Sequence, residues 1–302
     1  MGARAAAAAA PIGVIGVGNM GLAMAERLLQ CGRRVVVRDI RLEAEASAVA
    51  AGASTAGDCA DVAERCDLLI VAVVDAAQCD AVLFGEHGAH AGLHRQSTVM
   101  VCSTIGPRDM VSIVARLAER APCIDAPMSG GPARARAGSM SLMVACAEAV
   151  FDRHETVLRE LSSRLVRVGE RIGDGARTKL VNNMLAGVNL AAAAEALALA
   201  ERLGLDARRT LQVFEQSSAQ SWIASDRLPR ALDGDFEPRA HTSLLAKDTT
   251  LAMAMAGELG LQPQLAAAAQ QLFARACASG LASLDDASLL TLMRRLLADE
   301  HA

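Results

Sequence analysis

Over the first half of the chain, apolar residues come in short runs, at 12–15, 34–38, 68–73, 99–102, 123–125, 141–145 and 165–168. Between these runs, leucine and alanine recur at helical spacing, as in LAMAERLLQCG, which stops on Gly32. Strands alternating with helices predict a parallel sheet covered on both faces. The pattern changes after GERIGDGA, at 169–176, where the strand signal ends. The following stretch, RTKLVNNMLAGVNLAAAAEALALAERLGL, contains no proline and predicts one helix of about seven to eight turns. Further helices follow, with breaks expected at Gly204, Pro229, Gly234, Pro238 and Pro263. The pattern therefore predicts an α/β N-terminal domain with a parallel-dominated sheet over 11–170, then an all-α C-terminal domain over 171–302.

Composition narrows the picture. A chain of 302 residues has room for two domains. A net charge of −4 argues against nucleic acid or an anionic membrane as partner, because both need a basic face. No window reads as apolar enough over about 20 residues to span a bilayer. Much of the 52% hydrophobic content is alanine. The opening MGARAAAAAAP runs straight into the first strand, so 1–10 is expected to be a disordered tail rather than a signal peptide. Eight cysteines without a C-x-x-C pair point to buried free thiols in a reducing compartment, the cytoplasm. His87, His90 and His94 have metal-like spacing, but two glycines interrupt any helix there, and a surface loop without metal is expected. No G-x-S-x-G elbow is present, and one tryptophan with no tyrosine offers no stacking surface for nucleic acid.

The chemistry starts at IGVIGVGNMG. Gly16, Gly18 and Gly21 have G-x-G-x-x-G spacing, with Asn19 and Met20 between the last two. A strand precedes them, a helix follows, and a second strand ends in Asp39, 18 residues past Gly21. Together these parts make a dinucleotide-binding βαβ unit: glycines for a tight turn and close approach, and a helix N-terminus facing the pyrophosphate. A carboxylate at Asp39 can accept from the adenosine ribose hydroxyls and would repel a 2′-phosphate, so NAD is favoured. Arg38 and Arg41 flank it and leave NADP open.

Two further stretches carry polar candidates. DAPMSGGPARARAGSM, at 125–140, follows a strand and offers small residues and exposed N–H groups that can wrap a carboxylate. In GDGARTKLVNNML, at 173–185, Lys179 and Asn183 share a helix face, and the adjacent Asn182 and Asn183 are poor helix formers.

GVIGVGNMG, DAPMSGGPARARAGSMSLMVA, GARTKLVNNML and LLAKDTTLAMA occur in this order over nearly the whole chain beyond residue 11. In that order and spacing the chain resembles the β-hydroxyacid dehydrogenase family. The resemblance implies a Rossmann domain followed by a helical domain, with an active site in the cleft between them. It implies that Lys179 is the catalytic lysine, with Asn182 and Asn183 at the substrate-binding asparagine positions beside it, and that Ser129, Gly130 and Gly131 hold the substrate carboxylate. Lys247, Thr104, Val74 and Asp75 match positions along the cofactor. It also implies a dimer or tetramer, to which the apolar NLAAAAEALALA helix could contribute.

The implied reaction is reversible hydride transfer between nicotinamide and a short hydroxy acid, with Lys179 as general acid and base. Free lysine titrates near pH ~10.4, so this role needs burial or a nearby cation. Arg134 and Arg136 depart from the smaller residues common in the family. QSSAQSW followed by DGDFEPR resembles branches acting on sugar acids. The acid itself stays open among 3-hydroxyisobutyrate-, glycerate- and threonate-like molecules. A non-catalytic dinucleotide sensor or scaffold, or a reductase of another small semialdehyde acid, stays open beside them.

Overall fold

The computed structural model describes residues 10–117 and 120–299. The expected tail therefore lies, but for Ala10, outside the described residues. The chain divides into two compact units between Lys179 and Leu180.

The first unit alternates strand and helix: β1 (Ile12–Ile15), α1 (Asn19–Gln30), β2 (Val35–Arg38), α2 (Leu42–Ala50), β3 (Ser54–Thr55), α3 (Cys59–Arg65), β4 (Leu68–Val71) and α4 (Ala76–Phe84). It continues through β5 (Thr98–Val101), α5 (Pro107–Leu117), β6 (Cys123–Asp125), β7 (Met128–Ser129), α6 (Gly131–Arg136), β8 (Met140–Ala145), α7 (Glu148–Leu161) and β9 (Ser162–Gly169). The sheet runs β3-β2-β1-β4-β5-β6-β8-β7, with β9 also paired to β8. Strands β1 to β6 are mutually parallel, and β8 runs antiparallel to β6 and β7.

The strands are apolar throughout because both faces are covered. Along β4, Leu68 and Ile70 join one core while Leu69 and Val71 join the other. The period-2 alternation of side chains thus sends successive residues into opposite layers. The chain crosses from one half of the sheet to the other at β1, which lies between β2 and β4. In such sheets ligands bind beyond the carboxyl ends of the strands at this switch point.

The second unit is helical. It contains most of α8 (Asp174–Arg202), followed by α9 (Ala207–Gln216), α10 (Trp222–Asp233), α11 (Thr242–Gly257), α12 (Gln264–Ala276) and α13 (Leu289–Asp299). Leu190, Ala194 and Leu197 of α8 pack with Leu228, Phe273 and Leu292 in one core.

Two readings of the sequence are corrected here. Pro229 does not break a helix but sits inside α10. The helix is anchored by tertiary ion pairs on either side of it, Arg227 to Asp286 and Arg230 to Asp285 at 2.8 Å. These offset the backbone hydrogen bond that proline cannot donate. And α8, 29 residues long, is apolar enough by length and composition to cross a membrane. Leu190, Ala194 and Leu197 of this helix join a protein core, and its second and third turns carry the polar residues described below.

Candidate active site

The glycine loop is shaped by contact. Gly16 has φ +88°, and a Cβ there would lie 2.8 Å from the Ala72 carbonyl oxygen. A Cβ on Gly21 would lie 1.9 Å from the Gly16 carbonyl oxygen, so α1 packs against the loop as only glycine allows. Gly18 opens α1, whose first turn has neither a side-chain cap nor an acidic residue. A helix N-terminus behind a cradle that a Cβ would fill fits a pyrophosphate.

At the end of β2, Asp39 is held in place. Its Oδ2 accepts from Val17 N at 2.8 Å and its Oδ1 from Arg41 N at 2.9 Å. Arg38 is committed to Glu45 at 2.7 Å, whereas the Arg41 side chain is largely exposed, its guanidinium beside Gly18. The loops after β4 and β5 are tied together by Val73 N donating to Ser103 Oγ at 3.1 Å. Val74 is exposed and Thr104 half-buried at this same edge. Asp75 caps α4, accepting from Gln78 N at 2.8 Å.

The loop after β6 passes through Ser129, which pairs with Ser141 of β8. It then bends through Gly130 and Gly131, at φ +128° and +74°. Asp125, the last residue of β6, is 1% exposed. Its Oδ2 accepts from Gly173 N at 2.9 Å and Ala176 N at 3.2 Å, at the start of α8. Lys179 stands in the second turn of that helix and is 7% exposed.

In the helical unit, Asn183 is buried and Asn182 exposed. Asn182 Nδ2 donates to Asn183 Oδ1 at 3.0 Å, and Asn183 Nδ2 donates to Asp248 Oδ2 at 2.6 Å. Lys247 Nζ lies 2.9 Å from Asp248 Oδ1. One buried carboxylate on α11 thus gathers Asn183 and Lys247, 64 positions apart in the sequence.

Comparison with known proteins decides the family. Residues 11–169 match the NAD binding domain of 6-phosphogluconate dehydrogenase, and 173–293 match the NAD-binding domain of NADP-dependent 3-hydroxyisobutyrate dehydrogenase. L-threonate dehydrogenase of Cupriavidus necator is 36% identical over 280 residues, covering 92% of this chain and 94% of that protein. The chain belongs to the β-hydroxyacid dehydrogenase family. Another relative, 2-hydroxy-3-oxopropionate reductase of Escherichia coli, is 32% identical and spans 92% of this chain and 95% of its own. The crystal structure of a 3-hydroxyisobutyrate dehydrogenase from Salmonella typhimurium superposes with a TM-score of 0.87. It is 34% identical and covers 93% of this chain and 99% of its own. The chain is therefore an NAD(P)-dependent oxidoreductase of hydroxy acids.

The structure gathers the predicted cofactor residues of the N-terminal unit of this dehydrogenase on the carboxyl edge of one sheet. Sequence reasoning did not single out Asp125 or Asp248 as site residues. Each was visible only as a letter beside a motif, in DAPMSGG and in AKDTT. The three histidines do not converge: His87 faces Asp58, His94 faces Asp67, and His90 lies against the Phe84 ring. Among the described residues no group of His, Cys, Asp and Glu is arranged for a metal. Arg136 pairs with Glu26 of α1, which turns it to that helix.

Proposed function

We propose that the dehydrogenase oxidises a short sugar acid of the threonate type, using NAD, with Lys179 as general base. The observation that carries this reading is the placement of Lys179. It is a buried lysine on a helix whose first turn is hydrogen-bonded to the strand from which the 126–131 loop departs. Five L-threonate dehydrogenases among the relatives, at 34–36% identity, support the substrate class.

A dinucleotide, when bound, would supply the hydride acceptor. Lys179 takes the hydroxyl proton as the carbinol hydride leaves, and returns it in reduction. Ser129 and the N–H groups around Gly130 and Gly131 orient the substrate carboxylate. Asn183, fixed by Asp248, and its neighbour Asn182 offer amide groups to the substrate. Lys247, held by the same carboxylate, is assigned to the cofactor, as are Thr104, Val74 and Asp75. Gly16, Gly18, Asn19, Met20 and Gly21 would take the pyrophosphate, and Asp39 the ribose.

We assign 11–170 mainly to the dinucleotide, with the 129–131 loop serving the substrate carboxylate, and 171–302 to substrate and assembly, with Lys247 serving the cofactor. Val181, Leu185 and Leu199 leave an exposed apolar stripe on α8, which we assign to a homodimer or homotetramer interface. Solution mass measurement tests it, and a strict monomer overturns it. Eight free thiols suit the cytoplasm.

The test of the main reading is absorbance at 340 nm with NAD or NADP against L-threonate, D-glycerate, 3-hydroxyisobutyrate, L-serine and 4-hydroxybutyrate. L-threonate with NAD is expected to give the highest kcat/KM. Lys179→Ala is expected to lose about 10²–10⁴-fold in kcat while the dinucleotide Kd stays within about threefold. Near-normal turnover by the variant refutes the role of Lys179, and preference for another acid refutes the substrate.

A further inference from the structure

Helices usually take their N-terminal cap from the residue just before them. The helix that carries Lys179 takes one from 48 positions away in the sequence, where Asp125 ends β6. Its buried carboxylate accepts from Gly173 N and Ala176 N, with Gly175 N as a further donor. The fit is close: a Cβ on Gly175 would sit 2.7 Å from Asp125 Cγ and 2.8 Å from its carbonyl oxygen. The main chain of the same aspartate leads directly into the loop that bears Ser129, Gly130 and Gly131.

We propose that Asp125 is a positioning residue of the active site, holding the Lys179 helix in register with the 129–131 loop. The proposal rests on the acid–base reading of Lys179. One side chain joins the two elements that must agree on where the substrate lies. Small misplacements of reacting groups, on the order of 1 Å, cost about 10²-fold in rate.

Asp125 also makes this contact sensitive to protonation. Burial pushes its carboxyl up to about 6, against the pull of the three N–H groups. The charged and titratable groups facing it do not change state nearby. Asp174 of α8 is held below the usual carboxylate range by its hydrogen bond from Arg171, with Arg177 assisting. Cys102 after β5, Cys123 of β6 and Cys146 after β8 are pushed well up by burial and stay neutral. As pH falls through about 6, Asp125 gains a proton and its charge-assisted bonds to the helix weaken.

The experiment compares wild type with Asp125→Asn on L-threonate and NAD, or on whichever acid of the panel turns over best, from pH 5 to 8. The wild-type to variant ratio is expected to be about 10–100 at pH 8 and to shrink toward 1 below pH 6. The dinucleotide Kd is expected to change by less than about threefold. A ratio near 1 at pH 8, or one that stays constant across the range, overturns the proposal, because a purely structural loss has no reason to follow this titration. Should Asp125→Asn fail to fold, Gly175→Ala presses on the same contact without changing its charge. A fall in its kcat with Kd retained supports the proposal, and unchanged kcat overturns it. Lys179→Ala separates the two ideas: if it stays active, the acid–base reading falls and this one with it. An inactive Lys179→Ala beside a wild-type-like Asp125→Asn overturns the positioning role alone.

Discussion

Two glycine loops serve the N-terminal sheet, and they need glycine for different reasons. In the loop after β1 the shared constraint is space, with a positive φ at Gly16 besides: atoms of Ala72 and of Gly16 itself stand where a Cβ on Gly16 or Gly21 would go. In the loop after β7 the shared constraint is backbone angle: both glycines have positive φ, and while a Cβ on Gly130 would press on the flexible Arg134 side chain, one on Gly131 would meet nothing within 4 Å. The first loop locks a helix against a strand so that its N–H groups face outward. The second only turns the chain, and it can do so around a small anion. Glycine spacing in the sequence looks alike in the two cases, but the consequences of substitution do not.

The largest effect belongs to the first loop. Gly21→Ala forces α1 away from the strand, with an overpacking cost of about 1–3 kcal/mol. It is expected to weaken NADH binding by more than about tenfold, read by fluorescence titration. Wild-type affinity in this variant would show that contact is not what sets the first loop. Gly130→Ala comes next, because φ +128° with ψ −7° lies outside the left-handed well and Arg134 Cδ stands 2.9 Å from the new Cβ. Strain of roughly 1–3 kcal/mol is expected. The KM for the acid should rise about tenfold while the NADH Kd stays within about twofold. A matching loss in both constants would erase the distinction between the loops.

Much of this arrangement was legible because buried parallel strands write themselves as apolar runs. The strand β3 (Ser54–Thr55) and the strand β7 (Met128–Ser129) were not, since two residues of that kind leave no periodic signal. Pro229 misled because the ion pairs that steady its helix come from Asp285 and Asp286, more than fifty positions away. Asp125 and Asp248 were passed over for the same reason. A motif shows which residues are neighbours along the chain. It does not show that Asp125 reaches Gly173 or that Asp248 joins Asn183. That Lys179 and Asn183 share one helix was legible, because four residues on a helix make one turn, a spacing that survives without tertiary knowledge.

Gly131 gives the smallest and most discriminating effect. Its φ of +74° lies in the left-handed region, and open space surrounds it, so alanine meets strain without a clash. The left-handed conformation costs an alanine roughly 1–2 kcal/mol. Gly131→Ala is therefore expected to raise the KM for the acid only about two- to threefold, with NADH binding untouched. Asparagine tolerates this region better than alanine, so Gly131→Asn should recover part of the loss. If both variants instead raise KM more than tenfold with unchanged thermal stability, the position contributes space for the substrate. The second loop would then be governed by contact, as the first is.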